Sequence, residues 1–212
     1  MGLTDPSSEG AAPPPGPVVL AEIAHRVLAC RGETRSGDGA YVRREGEHTL
    51  FAVIDSLGHG EKAAAATDLA LAYLQAVAFV KRDVGDLVRE LGDALRGSRG
   101  AAALVCIWDG ATLSCCGVGN VELRSVGARV SVQLTPGVLG SPLRKLHTFA
   151  ARIDAETTVF LHSDGISSRI PFAALAAATP DSLGLCDAAL AAGRREHDDA
   201  TVLVARFKER PR

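Results

Sequence analysis

Aromatic side chains are scarce in this chain: one Trp, two Tyr and six Phe stand among 212 residues, and few interleave with its scattered lysines and arginines. With a formal net charge of -2, this is not the footprint of a nucleic-acid binder. No apolar run reaches the roughly 18 residues that a membrane span needs. The longest, Ala63 to Val80, is interrupted by Thr67, Asp68, Tyr73 and Gln75. The N-terminus lacks the basic start and apolar core of a signal peptide. Pro6 stands where a myristoylation signal needs Ser or Thr. None of the five cysteines (Cys30, Cys106, Cys115, Cys116 and Cys186) forms a Cys-x-x-Cys pair, which argues against zinc and against a disulfide framework. Most lie in apolar stretches, as free thiols do, and a cytoplasmic home is expected. Gly58-His59-Gly60-Glu61-Lys62 lacks the P-loop spacing, and no Gly-x-Ser-x-Gly elbow occurs.

What the chain does have is four acidic clusters set beside glycine or at strand mouths. They are Ser36-Gly37-Asp38, Asp55-Ser56-Leu57-Gly58-His59-Gly60, Ser163-Asp164-Gly165 and Asp198-Asp199-Ala200-Thr201. Three of them abut β-branched, apolar runs: Phe51 to Ile54, Thr158 to Leu161, and Val202 to Val204. Carboxylates at strand ends can converge on one sheet edge, where they repel unless a cation lies between them. Hard divalent cations take oxygen ligands and keep several waters. A carboxylate-held Mg²⁺ or Mn²⁺ that activates water for hydrolysis is therefore one reading. The alternative is that each Asp only ends a strand or forms a turn. The adjacent pair Asp198-Asp199 needs relief from a cation, from solvent, or from the neighbouring His197 and Arg194-Arg195. His59 is open to a general-acid role or to being plain polar loop. His162 is expected to be packed, facing away from Asp164.

Around these clusters, residues 1–17 read as a disordered tail, 18–208 as one folded domain and 209–212 as a short C-terminal tail. Strands are predicted over 18–28, 40–44 and 49–54, with a hairpin turn at Glu45 to His48. Two helices follow over 62–80 and 84–96. The first carries Leu69, Tyr73, Ala76 and Val80 at helical spacing. The second is capped by Asp83 and carries the stripe Leu87, Val88, Leu91 and Leu95. Further strands are predicted over 101–108, 112–116, 121–126, 129–134, 147–153 and 157–161. Hairpin turns are expected at Asp109-Gly110 and Gly127-Ala128. Short helices over 171–177 and 182–192 and a last strand over 201–207 complete the chain. This order is not the alternation of a parallel doubly wound fold and suits an antiparallel α+β domain.

Taken in order, Ser36-Gly37-Asp38, Ile54-Asp55-Ser56-Leu57-Gly58-His59-Gly60, Gly117-Val118-Gly119-Asn120, His162-Ser163-Asp164-Gly165-Ile166 and Asp198-Asp199-Ala200-Thr201-Val202 resemble the metal-dependent protein phosphatase (PPM) family. The match is to its SpoIIE-like branch, and the small size is similar to the stand-alone stressosome phosphatases of the RsbX type. The resemblance spans about Val18 to Phe207. It implies an α-β-β-α sandwich of two mainly antiparallel sheets with outer helices. It also implies two Mn²⁺ or Mg²⁺ ions at one end of the sheets and direct attack of water on phosphoserine or phosphothreonine. On that resemblance Asp38, Asp55, Asp164 and Asp198 are the catalytic carboxylates. The metal positions are the same four together with Ser56, which stands where the family has a glycine whose carbonyl binds the second ion, and Asp199. No residue clearly matches the phosphate-binding arginine of eukaryotic members; Arg35 is nearest. The implied substrate is a phosphorylated bacterial signalling protein, such as a STAS-domain protein of a stressosome or an anti-anti-sigma switch. The rival readings are a phosphatase-fold docking module with weak or no turnover, and a metallohydrolase of small phosphoesters.

Overall fold

The computed structural model describes residues 19–143 and 145–209, so the expected tail at 1–17 and residues 210–212 lie outside the described residues. Nine strands and four helices are present among them, in the order β1(Val19–Leu28), β2(Asp38–Glu45), β3(His48–Ser56), α1(Glu61–Ala76), α2(Val84–Ala94), β4(Ala101–Trp108), β5(Thr112–Val118), β6(Glu122–Val126), β7(Thr148–Arg152), β8(Thr158–His162), α3(Phe172–Ala178), α4(Ser182–Gly193) and β9(Ala200–Glu209). Glu209, expected in the tail, ends the last strand. One sheet runs β1-β9-β8-β6 and the other β2-β3-β4-β5-β7, with every strand pairing antiparallel.

Side-chain alternation along the strands builds the four layers. In β3, Leu50, Ala52 and Ile54 pack outward against Ala66, Ala70 and Leu74 of α1 and Leu87 and Leu91 of α2. Phe51 and Val53 face inward, with Leu104, Cys106, Trp108, Val159, Leu161, Leu203 and Phe207, to form the core between the sheets. Phe160, Val202 and Val204 face the other way and meet Phe172, Ala176, Leu185 and Ala189 of α3 and α4. The result is the expected α-β-β-α sandwich. Because both faces of each central strand are covered, these strands read as continuous apolar runs rather than alternating ones.

The helices differ from expectation in instructive ways. α1 stops at Ala76, and Val77 is already extended (φ -69°, ψ 135°). No basic residue lies in its last turn. Instead Arg43 of β2 donates to the Gln75 and Val77 carbonyls and takes over the C-terminal capping. The buried residues of α1 are Ala63, Ala64, Ala66, Thr67, Ala70 and Leu74, whereas Leu69 is 47% exposed. The hydrophobicity of Leu69 misplaced that stripe; alanines let the helix lie close to the sheet. α2 begins as expected, with the Asp83 carboxylate accepting from Gly85 N at 2.8 Å and Asp86 N at 3.0 Å.

The predicted strand over 129–134 does not form. Its alternation is real: Val130, Val132 and Leu134 pack against the inter-sheet core. No strand lies beside it to complete a ladder, so the Gly127-Ala128 hairpin is also absent, and β6 pairs with β8. The segment is tied instead to the ends of β4 and β5, through Thr135 with Gly117 and Gly119 and through Leu139 with Ala101.

Candidate active site

The site occupies the end of the sandwich where β2, β3, β8 and β9 bring their charged ends together. Asp38 and Asp55 are direct cross-strand partners at the ends of β2 and β3. Both share the inward-facing parity of their strands, Ala40 and Val42 after Asp38 and Phe51 and Val53 before Asp55, so the apolar inter-sheet core ends in two opposed carboxylates. From the other sheet, Ser163 follows β8. Its hydroxyl donates to Asp38 Oδ2 at 2.6 Å and accepts from Thr201 N at 2.9 Å, while Ser163 N donates to the Thr201 carbonyl at 3.0 Å. This relay latches β8 and β9 to β2.

Asp55, Asp164 and Asp198 line one cavity of about 400 Å³, together with Leu57-Gly58, Ala102, Gly119-Asn120 and Gly137-Val138. Asn120 Nδ2 donates to Asp164 Oδ2 at 2.8 Å. Asp38 lies just behind, 4% exposed. The electrostatics are unfavourable throughout. Burial, with repulsion from Asp38, Asp164, Asp198 and Asp199, pushes Asp55 up to about 8. Burial, with Asp199 and Asp198 adding to it, pushes Asp38 up to about 7 even though Ser163 donates to it. Asp198 is raised by burial first and by Asp164 second. Such values mark functional sites more often than structural ones.

Asp199 is set apart from the three carboxylates that line the cavity. It is 2% exposed, and both its oxygens are taken: Oδ1 accepts from Cys30 N and Oδ2 from Gly37 N, each at 2.7 Å. It fastens the β1–β2 loop to β9 and does not line the cavity. Ser56 faces outward and is fully buried, with its hydroxyl 2.8 Å from Thr67 Oγ1, which in turn donates to the Gly37 carbonyl. Its φ is not positive, so a serine at this position carries no backbone strain. Gly165 is required by close approach. A Cβ there would stand 1.9 Å from the Asp199 carbonyl oxygen, which is what lets the Asp164 turn and the start of β9 come together.

His59 and His162 do not line the cavity. His59 is exposed, with Nδ1 2.7 Å from Glu33 Oε1. His162 is fully buried and stacked on Phe172 at 5.5 Å, with Nδ1 donating to the Ser163 carbonyl, and burial lowers its pKa. It shares the outward parity of Phe160 and packs towards α3. β8 ends at His162, and Asp164 lies beyond it on the turn. Arg35 is committed to Glu61 and Asp68. Ser163 and Asn120 carry no chemical signature in the sequence; their contacts with Asp38 and Asp164 reveal their role.

Among the described residues, no three His, Cys, Asp or Glu side chains stand close enough to ligate one ion by themselves. The donor chemistry nevertheless fits a hard cation. The cavity offers only oxygen donors, its carboxylates repel one another, and Mg²⁺ or Mn²⁺ needs few protein ligands because it keeps its waters.

Comparison with known proteins agrees with this geometry. A sequence search among curated proteins returns no match. Among solved structures, a chain from work on the bacterial stressosome, a modular system adapted to control secondary messenger signalling, superposes with a TM-score of 0.81 at 29% identity, over 88% of this chain and 100% of that one. RsbX in complex with magnesium superposes with a TM-score of 0.78 at 19% identity, over 89% and 96%. The catalytic domain of the serine/threonine phosphatase PstP, in complex with 2 manganese ions, gives 0.68 at 14% identity, over 90% and 100%. The family model for Stage II sporulation protein E (SpoIIE) matches residues 45–208, which takes in Asp55, Asp164 and Asp198 and leaves Asp38 just outside. The chain thus belongs to the SpoIIE family, and it shares its fold with RsbX and with the PstP catalytic domain.

Proposed function

We propose that this protein is a cytoplasmic, metal-dependent serine/threonine phosphatase that hydrolyses phosphoserine or phosphothreonine on a bacterial signalling protein of the STAS-domain class. The observation that carries the reading is the convergence of Asp55, Asp164 and Asp198 on one cavity, with Asp55 pushed up to about 8 by burial and by its acidic neighbours. Folding has no use for that repulsion. Magnesium in RsbX and manganese in PstP support Mg²⁺ or Mn²⁺ as the group that relieves it. Asp55, Asp164 and Asp198 would hold the cation, with Asp38 behind them; a second ion and a contribution from Ser56 rest on the family resemblance. When bound, such a cation lowers the pKa of a coordinated water and offsets phosphoryl charge.

The chain's own residues prepare the site. Asn120 fixes the orientation of Asp164, and Ser163 that of Asp38. In the cation-free protein Asp38 and Asp55 retain protons near neutral pH, so loading the site displaces them. Water and the phosphoester become the free hydroxyl of the serine or threonine and inorganic phosphate. Leu57, 48% exposed at the cavity mouth, offers a polypeptide an apolar contact that a small phosphoester does not need. The testing experiment is hydrolysis of p-nitrophenyl phosphate and of a phosphorylated STAS-domain protein, in chelator and after Mn²⁺ or Mg²⁺ is restored. Metal-dependent release of phosphate from the phosphoprotein is expected. Full activity in chelator after verified metal removal overturns the reading. Turnover of the small ester alone favours the small-phosphoester hydrolase, and turnover of neither favours the docking module.

A further inference from the structure

The walls of the cavity contain three carboxylates and no cationic side chain. A phosphoryl group that enters it meets like charge until something positive intervenes. Among the described residues, one cation hydrogen-bonds by its side chain to a wall residue: Arg99 Nη1 donates to the Leu57 carbonyl at 3.2 Å. The same Leu57 donates its N–H to Gly100 O at 3.1 Å, so residues 99 and 100 grip the peptide on both sides of Leu57, two positions beyond Asp55. Gly58 makes room for this: a Cβ there would stand 2.6 Å from Arg99 Nη1. Arg99 is exposed, and among the described residues no carboxylate forms an ion pair with it. Its neighbours on that side are committed elsewhere, Arg35 to Glu61 and Asp68, His59 to Glu33, and Arg96 to Asp93. A guanidinium carries five N–H donors in a planar fork suited to phosphate oxygens. One of these holds the wall, and the rest have no carboxylate to meet.

We infer that Arg99 is the anion-positioning residue of this site: held at the cavity rim by Leu57 and given room by Gly58, it engages the phosphoryl oxygens of the incoming substrate. The role is one of orientation and charge neutralisation, with no proton transfer. The inference rests on the phosphatase reading above.

The experiment compares wild type, Arg99→Ala and Arg99→Lys at saturating Mn²⁺. It reads kcat/KM for p-nitrophenyl phosphate, the competitive inhibition constant of inorganic phosphate, the Mn²⁺ concentration for half activity, and the thermal midpoint. Arg99→Ala is expected to lower kcat/KM and weaken phosphate inhibition by roughly 10- to 100-fold, as loss of one charged hydrogen-bonding partner implies. The Mn²⁺ requirement and thermal midpoint should hold, and Arg99→Lys should recover part of the loss because it keeps charge without the fork. Unchanged phosphate inhibition with a lowered thermal midpoint overturns the inference, since Arg99 is then only a staple for Leu57. If wild type turns over nothing, calorimetric titration of the Mn²⁺-loaded protein with inorganic phosphate separates the two questions. Binding by wild type that Arg99→Ala loses sustains the inference although the phosphatase reading fails, and no binding by wild type sinks both.

Discussion

The strands β1, β8 and β9 run the length of one sheet, and their two ends treat charge in opposite ways. At one end, Glu22 of β1 meets Lys208 of β9 at 2.6 Å and accepts from Ser182 N; the lysine hydrogen bond first, then that backbone N–H, pulls it down to about 2. Arg206, beside it, donates to the Ala176 and Thr179 carbonyls and closes the end of α3. At the other end, carboxylates from β2, β3 and the turns before β9 and after β8 face one another, and Asp55 is pushed up to about 8. A cavity of about 460 Å³ lies by the paired end, larger than the one of about 400 Å³ at the acidic end. Size therefore does not distinguish the two cavities. What does is that the larger one has its arginine already satisfied by carbonyls, while the smaller collects like charges that the fold leaves unpaired. Local electrostatic conflict is the mark of the working end.

The sharpest way to break this contrast is to remove one of the unpaired charges. Asp55→Asn and Asp164→Asn should each reduce metal-dependent phosphate release by at least the ~10²–10³-fold that one preorganised electrostatic group is worth. The metal-free thermal midpoint of Asp55→Asn should stay level or rise, because a repelling carboxylate is gone. A fall in stability matching the fall in activity would mean that Asp55 belongs to the scaffold. The adjacent pair sharpens the contrast at single-residue scale. Asp198→Asn should cost activity with little change in denaturation midpoint, since Asp198 lines the cavity. Asp199→Asn should instead cost about 1–3 kcal/mol of stability, because an amide cannot accept on both sides from Cys30 N and Gly37 N. Urea unfolding beside rate measurements separates the two.

The two ends should also respond oppositely to pH in the metal-free protein. Asp38 and Asp55 have folded pKa values raised from 3.8 to about 7 and about 8. Their contribution is fully present below about pH 4 and is lost as pH rises through 7 and 8. Glu22 is lowered from 4.5 to about 2, so its contribution holds above pH 4.5 and is lost as pH falls towards 2. Thermal midpoints should therefore decline from about pH 5 to 8, and Mn²⁺ or Asp55→Asn should flatten that decline. The smallest effect belongs to the paired end. Lys208→Met should cost no more than about 1 kcal/mol, because solvent reaches and screens the half-exposed pair, and should leave activity unchanged.

How much of this was legible in sequence follows the range of the forces involved. The Asp83 cap, the α2 stripe and the strand that leads into Asp55 rest on neighbours within a few positions, and they appear where expected, the strand running on through Ser56. The segment 129–134 has the alternation of a strand because one side of it is buried, but a ladder needs a partner strand that local pattern does not report. The face of α1 was misjudged because residue hydrophobicity favours Leu69, while close packing on the sheet favours Ala66 and Ala70. The carboxylates of the site were visible as a set, since each sits beside glycine or at a strand mouth. Their division of labour was not. Asp198 and Asp199 are equivalent as letters and separate only when Cys30 and Gly37, more than 160 positions away in the chain, arrive to bind one of them. Asn120 and Ser163 acquire meaning in the same way, through Asp164 and Asp38.

That reach of Asp199 back to Cys30 and Gly37 has a consequence for the order of events at the ribosome. β1 pairs with β9 alone, so the first described strand has no place in a sheet until the last has been made. The loop that leads into Asp38 is pinned by a residue translated 162 positions after Gly37. Helices α1 and α2 and the strands β2 to β5 contact mainly one another and are free to form during synthesis, whereas α4 packs on β1 and the acidic end waits for β9. A nascent chain that has not yet reached β9 thus holds no assembled carboxylate cluster.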